Sequence, residues 1–183
     1  MAANEIEPSR TALLLLDLQV MYAKMDPSFD ALMIHTASVV KTARSTGITI
    51  AHCRVAFTEL KHDASRAAAF GVDSPEAAFH PSVAPEDGDI VVRKSRVGPF
   101  FNAAQDVHAI FKGRGIDTLL LAGASTGGAV AATVVQAADL DYQLFVVEES
   151  CADTSKETHE FLMNFFAKRA TMIKGEELKT LVI

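Results

Sequence analysis

The 183 residues suit one domain, 1–183, with a sizeable core, and 49% hydrophobic with 22% charged residues is the balance of an ordinary globule. A formal net charge of -6 with no Lys/Arg-rich run argues against nucleic-acid and anionic-membrane surfaces, so a small molecule is the expected partner. No apolar run nears the roughly 20 residues of a membrane helix, MAANEIEPSR is no secretory signal, and two cysteines make no disulfide framework, so a cytoplasmic, reduced protein is expected.

In chain order, TALLLLD is an apolar run too short for a helix and reads as a buried central strand ending at Asp17. DALMIHTASVVKTARSTG places Met33, Ala37, Val40 and Ala43 on one helical face and stops at Gly47. ITIAHCRVAF is a second strand. From Thr58 to Gly88 the periodicity is weak, with KHDASRAAAF as a short helix and Pro75, Pro81 and Pro85 as breakers. Long excursions of this kind often line sites.

DIVVRK predicts a third strand, followed by a helix with Phe100, Ala104, Val107 and Phe111 inward. DTLLLAG, YQLFVVEES and ATMI are the remaining strands; GGAVAATVVQAADL and KETHEFLMNFFAKR are helices between them, the second burying Leu162, Phe165 and Phe166. Such alternation predicts an α/β, three-layer doubly wound (Rossmann-like) fold on a six-stranded parallel sheet. Its ligand site belongs at the carboxyl ends of the strands. Asp17, Lys94 and the turn Gly123–Ala129 fall there.

Each candidate has a plain structural alternative. Asp17 closes five apolar residues, where an unpaired charge is costly, so it is either a structural acceptor or an acid/base. Gln19 either orients a substrate or satisfies loop backbone. Alternation sends Arg93 and Lys94 to opposite faces, so only one of them enters a site with Asp17. GASTGG matches neither a Walker loop nor G-x-G-x-x-G; it is either close strand-to-helix packing or a set of backbone donors for a carboxylate or oxyanion. Cys53 reads as core, and Cys151 has no histidine beside it in sequence, so neither is expected to be a nucleophile. The six histidines show no His-x-x-x-His spacing, and neither metal nor cofactor is expected.

Three motifs in order resemble the isochorismatase-like (cysteine hydrolase) superfamily over nearly the whole chain. LLLLDLQ is similar to its first-strand motif, implying that Asp17 is catalytic. HPSVAPEDGDIVVRKSRVGPF is similar to its lysine-bearing segment, implying the same of Lys94. LLLAGASTGGAVAATVVQAADLDYQLFVVEESCAD matches the pattern G-x-x-T-x-x-C-V-x-x-T at Gly123, Thr126, Val130 and Thr133, with Ala129 where amidase members carry the nucleophilic Cys. The resemblance also implies a cis bond before the nucleophile position, which Gly128 would accept, and a homo-oligomer.

Amidases of the superfamily form a covalent thioester and cannot do so with alanine. Isochorismatases hydrolyse a vinyl ether without a nucleophile. The expectation is therefore hydrolysis of isochorismate, or a similar small anionic vinyl ether, to pyruvate and a dihydroxy-cyclohexadiene carboxylate. Asp17 is the acid and Lys94 its electrostatic partner. Burial favours the protonated acid and cationic Lys94 the carboxylate. Lys94, Arg96 and Arg54 are expected to meet substrate carboxylates, with Gln19, Thr126 and Gly128 also at the substrate. The rivals are a catalytically silent member that binds a small anion or a partner, and an amide hydrolase using activated water.

Overall fold

The computed structural model describes residues 5–57, 70–71, 74–101 and 105–183. Its sheet is built from β1 (Thr11–Leu16), β2 (Thr49–Val55), β3 (Ile90–Lys94), β4 (Thr118–Ala124), β5 (Gln143–Ala152) and β6 (Thr171–Ile173). All neighbours are parallel, in the order β3-β2-β1-β4-β5-β6. The helices are α1 (Val20–Met25), α2 (Ser28–Ser45), α3 (Val107–Lys112), α4 (Ala131–Asp139), α5 (Lys156–Phe166) and α6 (Leu178–Leu181). KHDASRAAAF, apart from Phe70, and Ala104 lie outside the described residues. Pro75 and Pro81, expected as breakers, each open a short 3-10 turn, where a missing N–H costs nothing.

Why β1 is an unbroken apolar run follows from its position. It pairs with β2 on one side and β4 on the other, and both its faces are covered. Leu14 and Leu16 face Val107, Phe111, Val130, Val134 and Phe166; Leu13 and Leu15 face Phe29, Leu32, Met33, Val39 and Leu178. Each such leucine contributes roughly 1.5–3 kcal/mol by leaving water. Helices α3, α4 and α5 thus cover one face, and α2 and α6 the other, giving the three expected layers. On α2 the buried stripe is Phe29, Leu32, Met33, Thr36, Val39 and Ala43, with Ala37 and Val40 at its flank. The larger Phe29 and Leu32 take the centre of the contact and rotate the expected face by about one position.

Edge strand β3 alternates buried and exposed residues, so Lys94 turns inward and Arg93 outward. The Gln105 side chain binds its backbone, accepting from the Arg93 N–H at 2.9 Å and donating to the Val91 carbonyl at 3.4 Å. Between β4 and β5 the register slips, with Leu121 opposite Val146 but Gly123 opposite Cys151, two residues against five. The surplus in β5 brings Cys151 and Ala152 beside the end of β4. Gly123 makes that end possible. Its φ is +151°, and a Cβ there would collide with the Leu16 carbonyl.

A buried polar network fastens α2 to the sheet. Asp89 accepts two hydrogen bonds from Arg44 at 2.9 Å and lies 3.0 Å from His52 Nε2. Burial pushes the His52 ring below its ordinary 6.5, outweighing Asp89. Burial alone would raise the Asp89 carboxyl, but Arg44, the Glu86 N–H and His52 hold it low. Both groups bind protons more weakly when folded. Their stabilisation is therefore complete above the unfolded values and is lost as pH falls, first below about 6.5 for His52 and then in the carboxylate range for Asp89. The Tm is expected to fall between pH 7 and pH 5, with a shallower slope in His52→Gln; equal slopes by scanning calorimetry would contradict this.

Candidate active site

Asp17 follows β1 in the left-handed region, φ +53°, which turns its side chain out of the strand's alternation. Its N–H donates to the Cys53 carbonyl at 2.8 Å, and its own carbonyl accepts from the Gln19 N–H at 2.8 Å. Lys94, the last residue of β3, is wholly buried, and its Nζ donates to Asp17 Oδ2 at 2.6 Å and to the Arg96 carbonyl at 3.3 Å. The two residues lie on strands separated by β2 and meet across its end. An ion pair taken this far from water survives only when its partners stay together. Here Asp17 is 3% and Lys94 0% exposed.

The turn after β4 leaves the sheet at the same end as Asp17 and Lys94. Thr126–Val130 forms a wide π-type turn leading into α4, and Ala129 is buried in it. The N–H groups of Gly128 and Val130 donate to the Ser125 carbonyl at 3.0 and 3.3 Å, and Thr133 Oγ1 donates to the Ala129 carbonyl at 2.6 Å. The cis bond is Ala124–Ser125, not Gly128–Ala129. Gly128 serves another need, since a Cβ there would press on Ser125 Oγ at 2.8 Å.

Several expected substrate contacts are taken up by the protein itself. Gln19 is wholly buried; its amide donates to the Val55 and Ala77 carbonyls at 3.1 and 2.7 Å and accepts from the Val55 N–H at 3.2 Å. It holds loop and strand backbone together. Arg54 follows Cys53 on β2 and so points to the opposite face, where it donates to the Ala77 carbonyl at 2.7 Å and lies over the Phe79 ring. It does not join the Asp17–Lys94 pair. Arg96 brings its carbonyl to Lys94, while its exposed guanidinium bonds to the Ser95 carbonyl. Thr126 is buried with its hydroxyl 2.8 Å from His159 Nδ1. The Gly127 N–H, an expected anion donor, already donates to Asp153 Oδ2 at 2.7 Å.

Neither thiol competes as a nucleophile. Burial pushes the Cys53 thiol far up despite the Lys94 charge nearby, and pushes Cys151 up to about 12. Among the described residues no three His, Cys, Asp or Glu side chains are grouped so as to hold a metal ion. Sequence reading missed Asp153 and His159. Asp153 and Ser155 just before a helical pattern signal a cap, and Ser155 does accept from the Thr158 N–H at 3.2 Å. That Asp153 would serve a different helix is a property of the fold alone.

Residues 11–177 match the model of the isochorismatase domain. An uncharacterised isochorismatase family protein of Bacillus subtilis, YwoC, is 30% identical over 175 residues, covering 90% of this chain and 89% of its own. Maleamate amidohydrolase of Pseudomonas putida is 36% identical over a shorter stretch, 48% of this chain and 40% of its own. The crystal structure of a putative isochorismatase hydrolase from Oleispira antarctica superposes with a TM-score of 0.79 at 26% identity, covering 93% of this chain and 96% of its own. With a matching domain model over nearly its full length and the parallel α/β fold to accompany it, the chain belongs to the isochorismatase family of hydrolases.

Proposed function

We propose that this hydrolase cleaves the vinyl ether of isochorismate, or of a similar small anionic enol ether, by acid catalysis without a covalent intermediate. One observation carries the reading. The buried Asp17–Lys94 pair is intact at 2.6 Å, while the position matched to the amidase nucleophile is Ala129. Asp17, as the acid, gives its proton to the terminal vinyl carbon and leaves an oxocarbenium ion. Water adds to the oxocarbenium carbon that bears the ether oxygen, returning a proton to the Asp17 carboxylate, and the hemiketal breaks to pyruvate and the ring alcohol. Lys94 stabilises the carboxylate while it lacks the proton.

Wild type is expected to release pyruvate from fresh isochorismate, read by a coupled lactate dehydrogenase. Asp17→Asn should lower kcat by roughly 10²–10⁴-fold. Undiminished turnover in Asp17→Asn would reject the assignment. Similarity to maleamate amidohydrolase favours a second reading, an amide hydrolase working by activated water. Ammonia release from small amides, without pyruvate release from isochorismate, would select it. A ligand-induced rise in Tm with no product from either substrate would instead identify a silent binder.

A further inference from the structure

The turn that carries Ala129 is held by Asp153, which follows β5, and by His159 of α5. Asp153 binds the Gly127 N–H through Oδ2 at 2.7 Å and the Ser155 N–H through Oδ1 at 3.2 Å. His159, in the first turns of α5, meets the buried Thr126 hydroxyl at 2.8 Å. The packing behind Gly127 is equally close, since a Cβ there would come within 3.1 Å of Thr158 Cγ2 and 3.2 Å of Asp153 Oδ2. Bonds inside the turn, from Gly128 and Val130 to Ser125, fix its shape. They do not fix its placement. The two bonds from outside tie it to β5 and α5, and the Asp153 carboxylate also suits the positive end of the helix that begins there.

We propose that Asp153 and His159 are positioning residues, which place the Ser125–Val130 turn, and Ala129 with it, against the Asp17–Lys94 pair. The kinetic part of this inference rests on the proposed vinyl-ether hydrolysis; the structural part does not. A wall displaced by about 1 Å costs up to roughly 100-fold in rate through misaligned substrate. His159→Ala and Asp153→Ala are expected to lower kcat for pyruvate release roughly 10–100-fold while KM changes less than about threefold. His159→Asn and Asp153→Asn, which keep a hydrogen-bonding group in place, should recover most of it.

The activity-independent readout is the Ala129 methyl resonance in protein labelled with ¹³C-methyl alanine, assigned through Ala129→Gly. His159→Ala and Thr126→Val should both move it, and His159→Asn should leave it near its wild-type position. An unmoved resonance in both His159→Ala and Asp153→Ala overturns the proposal, as does a moved resonance with unchanged kcat in an active enzyme. A moved resonance in a protein whose wild type releases no pyruvate leaves the positioning role standing and rejects the functional reading.

Discussion

Lys94→Met is expected to lower the unfolding free energy by about 3–5 kcal/mol, because it leaves the Asp17 carboxylate, only 3% exposed, without the Lys94 charge. For a chain of 183 residues that is a fall in Tm on the order of 10 °C, with pyruvate release reduced to background. Adding Asp17→Asn removes the stranded charge. The double variant should regain most of the stability and none of the activity, which separates the structural demand of the pair from its chemical use. Asparagine is the right replacement because residue 17 sits at φ +53°, a conformation that Asn tolerates and that β-branched residues do not. Urea denaturation of the four proteins of this cycle measures it. A Lys94→Met variant as stable as wild type would mean that the buried pair contributes nothing to the fold.

Gly123→Ala should be more damaging still, at least about 4 kcal/mol, with most of the protein recovered insoluble. Two independent penalties meet at one atom. The φ of +151° is unfavourable for any residue with a Cβ, and that Cβ would run into the carbonyl of Leu16 on the adjacent central strand. Relief would require β1 and β4 to part, which opens the middle of the sheet. Gly47→Ala provides the comparison: its φ is +81°, but nothing lies within 4 Å of the new methyl, so only the conformational cost of about 1–2 kcal/mol remains. Comparable stability losses in the two variants would show that close packing of β1 on β4 is unimportant.

The strands were legible because burial on both faces leaves a simple trace, as in TALLLL, and because the apolar runs were separated by helical periods. Asp17 and Lys94 could be named because each ends a strand at the edge where such sheets bind ligands. Their pairing came from the family resemblance alone, since a residue spacing of 77 says nothing of distance across β2. The contacts of Arg54, with the Ala77 carbonyl and the Phe79 ring, were not legible either, since both partners lie more than twenty residues away in sequence. Gln19 kept two readings open until the backbone it binds, at Val55 and Ala77, had been brought around it. Asp153 and His159 were invisible as site residues because their partners, Gly127 and Thr126, reach them only through the β5 bulge and the packing of α5.

Lys94 rides on a strand at the margin of the sheet, whose neighbour is β2, whereas Asp17 hangs from a central one. Edge strands are the first part of a sheet to open under native conditions. Opening of β3 would draw the ammonium away from the carboxylate and remove the charge it is paired with at 2.6 Å. On the proposed mechanism, amide exchange along Ile90–Lys94 and the rate of pyruvate release would respond to one opening. On the same mechanism, a ligand that prefers the separated pair would loosen the margin of the sheet, and one that prefers the ion pair would tighten it.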